Sequence, residues 1–241
     1  MPPSQFDNAS LENRHISGHR TAPALSGLRL ALGALALLWA AAAAADERDG
    51  VPFDYYVLAL SWSPTYCASR ERDDDLQCAS GRGYEFVLHG LWPQYRSGWP
   101  QYCEATGFGL SKSLITGMLD IMPSRSLVRH QWNKHGTCTG LSPEAYFALA
   151  RKFHDEISIP ARYIDPERSI EVSVQDFVAD FTATNRDLER DMVSVQCGNR
   201  RGRARLAELR ICFSRAGAPV PCGPNEQRQC RAERLVLPPA R

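Results

Sequence analysis

The chain has 241 residues, 44% of them hydrophobic and 23% charged, with 28 basic and 27 acidic side chains. This is the composition of an ordinary globular protein, and it excludes the large positive excess usual in proteins that grip nucleic acid tightly without reading sequence. A near-neutral chain can still process RNA, binding it locally and releasing product, so charge alone assigns no function.

Leu30 to Ala45 carries no charge, follows Arg29 and closes on Ala43-Ala44-Ala45. That is the pattern of an export signal, an apolar core ending in small residues at a cleavage site. Its 16 residues fall short of the roughly 20 that a spanning helix needs. Residues 1–45 are therefore read as a cleaved leader with a long polar front. Residues 46–241 are read as one domain, since they show no repeat, low-complexity linker or break in composition. Removing the leader leaves 25 basic and 25 acidic side chains.

From there the elements follow in chain order. Asp54 to Trp62 (DYYVLALSW) is rich in aromatic and branched residues and reads as a buried strand stopped by Pro64. Tyr84 to Leu88 reads as a second strand that delivers His89 at its end. Leu110, Leu114, Ile115, Met118, Leu119 and Met122 recur at helical spacing before Pro123. Ser126 to His135 predicts another helix, stopped by Gly136. Ser142-Pro143-Glu144 supplies a capping hydroxyl, a first-turn proline and an acid near the positive helix end, and predicts a helix to about Ile157. Ser173 to Thr184 reads as helix, and Met192 to Cys197 and Ala204 to Ser214 as strands. Strands at both ends with helices between predict the α+β class, a mixed or antiparallel central sheet with helices packed on it.

All eight cysteines (Cys67, Cys78, Cys103, Cys138, Cys197, Cys212, Cys222 and Cys230) follow the leader. An even number in an exported chain predicts four disulfides, among 105 possible pairings. The usual C-x₂-C spacing of a zinc site is missing.

The candidate chemistry lies in two segments, His89-Gly90-Leu91-Trp92-Pro93 and His130-Gln131-Trp132-Asn133-Lys134-His135-Gly136-Thr137-Cys138. On a helix, His130 and Lys134 share a face, as do Gln131 and His135. A donor, a fixed cation and two groups that titrate near neutrality then point into one volume, which suits a phosphate that gains charge during reaction. RNA cleavage needs little more. The substrate's 2′-hydroxyl is the nucleophile, one histidine removes its proton and another protonates the leaving oxygen, so no metal or cofactor is required. Trp92 offers an aromatic face to a base. His154 is read as an ordinary surface or core residue, and Trp132 as core. Trp99 and Tyr95 are evenly placed between lining the site and packing beneath it. The run Arg200, Arg201, Arg203 and Arg205 is read as a solvated hairpin tip.

The two histidine segments resemble the active-site segments of the ribonuclease T2 family. Tyr56-Val-Leu-Ala-Leu-Ser-Trp-Ser-Pro is similar to the family's first strand and Arg210-Ile-Cys-Phe to a late one, so the resemblance runs from about Phe53 to Cys230. It implies the family's α+β fold and a single-stranded RNA substrate cleaved through a 2′,3′-cyclic phosphate to 3′-phosphate ends. It also implies a monomer, periplasmic or secreted, with no membrane attachment after the leader is removed. His89 is expected as general acid, His135 as general base, and His130, Gln131 and Lys134 on the phosphate. Trp92 and Gln94 are expected at the base on the 5′ side of the scissile bond. The implied disulfides are Cys67–Cys78, Cys103–Cys138, Cys197–Cys230 and, nested in the last, Cys212–Cys222.

One position departs from the family pattern, because glutamate normally follows the first histidine of the second segment and here it is Gln131. The amide can donate to a phosphoryl oxygen but carries no charge. A working but slower enzyme is expected. Three rival readings remain: a metal-dependent hydrolase on His89, His130 and His135; a weakened RNA-binding or signalling relative; and a secreted toxin, which differs in role rather than in reaction. Gln131→Glu is expected to raise turnover on RNA, and an unchanged or lower rate would count against this account of the substitution.

Overall fold

The computed structural model describes residues 52–68, 76–103, 109–200, 202–227 and 229–240, within the compact unit Ala45–Arg241. The segment read as a leader lies outside the described residues. Six strands form one sheet: β1 (Tyr55–Trp62), β2 (Phe86–Gln94), β3 (Ile170–Ser173), β4 (Val193–Arg200), β5 (Arg203–Ser214) and β6 (Arg234–Leu237). The order is β2-β1-β5-β6-β3, with β4 also paired to β5. Every pairing is antiparallel except β5 with β6. This is the expected α+β mixed sheet. β3 and β6, of four residues each, were not anticipated, being too short for alternation to register.

The helices are α1 (Ser63–Cys67), α2 (Lys112–Gly117), α3 (Arg125–Lys134), α4 (Pro143–Glu156) and α5 (Val174–Thr184). Serines cap the last four: Ser111, Ser124, Ser142 and Ser173 each accept a backbone N–H of the first turn. Pro64 does more than stop β1, because it opens the short helix α1. The apolar run at 110–122 is helical only over α2. It continues as turns that still bury Met118 and Met122, and Arg151 of α4 binds the Gly117 carbonyl and the Asp120 carboxylate there.

One face of the sheet carries the core. Tyr56, Leu58, Leu60 and Trp62 of β1 and Leu209, Ile211 and Phe213 of β5 pack with Phe147, Phe153, Phe177 and Phe181 of α4 and α5. Trp132 belongs to this core, as its sequence position suggested. The Tyr146 hydroxyl, fully buried, donates to the Leu91 carbonyl at 2.7 Å and ties α4 to β2, a bond worth about 1 kcal/mol net. The other face presents Tyr55, Val57, Ala59 and Ser61 from β1 beside Glu208, Arg210 and Cys212 of β5.

The disulfides are Cys67–Cys78, Cys103–Cys138, Cys197–Cys230 and Cys212–Cys222, the four pairs that the resemblance implies. Cys103–Cys138 joins the chain beyond β2 to the turn that follows α3. Gly202, at φ +77°, sits at the tip of the β4–β5 hairpin. Arg203 there forms an exposed ion pair with Glu171, as expected of a solvated tip. Arg205 departs from that expectation, being partly buried with its Nε shielded and without a hydrogen-bond partner, because it lies on β5 below the tip. Arg201 and the side chain of Arg200 lie outside the described residues. Among the described residues no helix is long and apolar enough to cross a membrane.

Candidate active site

β2 does not end at His89. It runs on to Gln94, and His89 sits at an irregularity in its pairing with β1: Leu88 faces Leu60 and Gly90 faces Ala59, so His89 has no opposite residue. The cause is legible in burial. Leu88 and Leu91 are both fully buried in the same core although they are three residues apart, which a regular period of two forbids. An extra residue resolves the mismatch, and it turns His89 to the side that carries Trp92, opposite the buried leucines.

On that face His89 reaches across β1 to β5, where its Nδ1 forms a short bond with Oε1 of Glu208. Strands lie about 4.8 Å apart, so this bond spans two strand spacings above Ala59 and Ser61, residues small enough to lie beneath it. Ser61 Oγ also donates weakly to Glu208 Oε1, at 3.5 Å. The other carboxylate oxygen accepts from Arg210 Nε at 3.0 Å and Nη2 at 2.9 Å. Burial pushes the Glu208 carboxyl up, but the bond and charge of His89, with the Arg210 guanidinium, outweigh it and hold the pKa at about 2. A carboxylate fixed in this way accepts from His89, so the ring proton sits on Nδ1 and Nε2 is free for chemistry. Neither Glu208 nor Arg210 was picked out as a site residue from sequence.

α3 brings the second segment against β2. Gly90 makes the approach possible, since a Cβ there would overlap the Gln131 amide and the Trp92 indole. Gln131 is buried, and its Oε1 accepts from Trp92 Nε1 at 2.8 Å. Its first contact is therefore with the tryptophan, and only Nε2 is left without a protein partner among the described residues. Trp92 is the hub of the site. His135 stacks on it at 5.4 Å and 28°, His89 meets it edge-on at 5.3 Å, and Arg210 lies over its ring at 5.0 Å. With the ring so occupied, the more open aromatic face in the cleft belongs to Trp99, 49% exposed. Tyr95 packs against the core instead.

His135 caps α3, and Gly136 follows without a left-handed backbone. What position 136 requires is room, because a Cβ there would strike the Trp132 ring. His135 is 5% exposed and its Nδ1 is buried with no hydrogen-bond partner, so Nε2 is left to act in the cleft. Burial first, then the charge of Lys134 and the neighbouring rings of His130 and His89, pull its pKa from 6.5 to about 3. His130 is lowered as well, by burial, Lys134 and His89 in that order. Lys134 is thus the fixed cation of the group, and the two α3 histidines are neutral near pH 7.

These residues line one cleft of about 250 Å³, with His89, His130, Lys134 and His135 around it and Gln94, Asn225 and Glu226 among its other walls. All five expected catalytic residues and both expected base-contacting residues meet there. His154 lies elsewhere, paired to Asp155. Among the described residues no group of three or more His, Cys, Asp or Glu side chains is placed to hold a metal. An NMR titration checks the electrostatics. The His135 ring resonances should hold still from about pH 8 to 5, where an ordinary histidine titrates, and move only toward about 3; a transition near the normal histidine value would contradict the burial argument.

Comparison with known proteins identifies the family. A ribonuclease of Aeromonas hydrophila is 43% identical over 131 residues, covering 54% of this chain and 59% of that protein. A probable ribonuclease of Haemophilus influenzae is 37% identical over 127 residues, 47% of each chain. The chain thus spans about half the length of these curated relatives. Ribonuclease I of Escherichia coli is 27% identical over 239 residues, 81% of this chain and 88% of that one. Among solved structures, ribonuclease MC1 from bitter gourd seeds shares the fold at a TM-score of 0.61 and 20% identity, over 76% of this chain and 99% of that one. RNase NT, solved with 5′-AMP, gives 0.61 at 23% identity, over 78% and 99%. The family model described as the ribonuclease T2 family matches residues 53–222, a span that takes in the whole site except Asn225 and Glu226. The chain belongs to the ribonuclease T2 family.

Proposed function

We propose that this protein is an endoribonuclease that cleaves single-stranded RNA by transphosphorylation, without metal, using His135 and His89 as base and acid. The observation that carries this reading is the pairing of one neutral, buried imidazole with another that is backed by a carboxylate, in a single cleft beside a fixed cation.

The chemistry divides accordingly. Neutral His135 accepts the 2′-hydroxyl proton on Nε2, and the 2′ oxygen attacks phosphorus. As the P–O5′ bond breaks, protonated His89 delivers its Nε2 proton to the leaving oxygen, while Glu208 holds Nδ1–H and the plane of the ring. Lys134 and a hydrogen bond from neutral His130 face the charge that builds on the phosphoryl oxygens. The Nε2 group of Gln131 is a further donor there. The products are a 2′,3′-cyclic phosphate and a 5′-hydroxyl. Return of the proton from His135 and attack by water through His89 then open the ring to a 3′-phosphate.

The scheme is complete within one copy of the chain, and the protein is proposed to act as a monomer. The four disulfides support an oxidising compartment, periplasmic or extracellular, reached through a leader at residues 1–45. The alternative, a weakened relative that binds RNA without cutting it, rests on Gln131 alone.

Digestion of a defined RNA in excess EDTA, with analysis of the new ends, separates these readings. Cyclic phosphate ends should form at full rate in EDTA, and His89→Ala or His135→Ala should lower the rate by roughly 10²–10⁴-fold. Loss of activity on chelation would favour the metal-dependent hydrolase, and RNA binding without any cleavage would favour the weakened relative.

A further inference from the structure

The cleft has a second end, away from the histidines, built from the start of β1, the end of β2 and the loop after Cys222. Cys212–Cys222 staples that loop to β5, and Ser194 Oγ on β4 donates to the Glu226 carbonyl at 2.5 Å. Asn225 is fully engaged in holding the neighbouring turn. Its Oδ1 accepts from Gly98 N at 3.0 Å, and its Nδ2 contacts the carbonyls of Gly98 at 2.9 Å and Tyr95 at 3.3 Å and Gln94 Oε1 at 3.3 Å.

Glu226 differs from its neighbours. The residue is 2% exposed, yet it belongs to the cleft wall. Its Oε2 accepts from the Tyr55 hydroxyl at 2.5 Å, which fixes the carboxyl group, while Oε1 has no hydrogen-bond partner among the described residues. A carboxyl oxygen that is held rigidly at the cleft wall, open to the cleft and without a protein donor, is a recognition group awaiting one. Gln94 beside it is 3% exposed, with Oε1 already turned to Asn225, so its Nε2 is the donor left to face the same space. The exposed ring of Trp99 flanks this end.

We propose that Glu226 is a specificity-determining residue of this cleft, accepting a hydrogen bond from the exocyclic amino group of the nucleobase on the 5′ side of the scissile bond. The inference rests on the nuclease reading above and adds to it the choice of base. Adenine and cytosine carry an amino group where guanine and uracil carry a carbonyl oxygen. Against a fixed carboxyl oxygen the amino group is a donor and the carbonyl is repelled, and Gln94 Nε2 completes the pair on the bare ring nitrogen next to the amino group. A site built to take a hydrogen bond rejects the base that lacks the donor, since the acceptor would otherwise stay buried and unpaired.

The test compares kcat/KM on ApU, CpU, GpU and UpU for the wild type and for Glu226→Gln, whose amide can donate to a carbonyl. The wild type should cleave ApU and CpU at least about tenfold better than GpU and UpU, and E226Q should erase or reverse that ratio. A second measurement needs no variant: on the wild type, the dinucleotide with purine riboside in place of adenosine, lacking only the amino group, should lose the same factor. Equal rates on all four substrates, an unchanged ratio in an active E226Q, or no loss with purine riboside each overturn the base contact. Failure of the wild type to cleave any of them overturns the nuclease reading, and this inference with it.

Discussion

The geometry of the site follows from a conflict between sheet and core. β2 must bury both Leu88 and Leu91 against the same helices, and a strand with a period of two cannot do that without an extra residue. The extra residue is His89. Its displacement from the β1 ladder is what turns an imidazole toward the open face and over Ala59 and Ser61 to Glu208. Bulges recur beside active sites because they re-aim side chains, and here the same step serves packing and chemistry together.

Around that ring the electrostatics are divided by burial. His135 and His130 lose their charge to desolvation and to Lys134. Glu208 keeps its charge despite burial because His89 and Arg210 flank it. Two of the imidazoles in the cleft therefore differ in environment, one without a partner at its buried nitrogen and one held by a carboxylate, and in the proposed mechanism this difference separates the base from the acid. Trp92 mechanically couples the two halves, touching both histidines while its indole N–H is held by Gln131. The Gln131 position thus affects the aim of Trp92 as well as the proposed phosphate contact.

Much of this was legible in the chain. The serine caps, the apolar spacing of α4 and α5 and the branched run of β1 gave the class, and the two histidine segments gave the residues of the cleft. The remainder was hidden for physical reasons. Glu208 and Arg210 alternate with core residues in Leu206 to Phe213, as solvent-facing residues of any strand do, and only the pairing of β5 with β1 brings Glu208 to a histidine 119 positions away. The irregularity at His89 is a property of the partner strand's register, which no local pattern reports. Glu226 lies in a loop without periodicity, and its carboxyl becomes distinctive only once Tyr55 is seen to hold it at the cleft wall. The segment 110–122 misled in the opposite sense, since turns can bury residues at helical spacing as well as a helix can.

The central claim is that His89 and His135 act on opposite oxygens of one phosphodiester linkage. A crystal structure with a nucleoside vanadate, a stable mimic of the five-coordinate phosphorus, tests it most directly. The account requires His135 Nε2 to contact the 2′ oxygen, His89 Nε2 to contact the apical oxygen opposite with its Nδ1 still on Glu208, and Lys134 to contact an equatorial oxygen. A vanadate bound with either imidazole out of contact, or with both on the same side of it, would contradict the account.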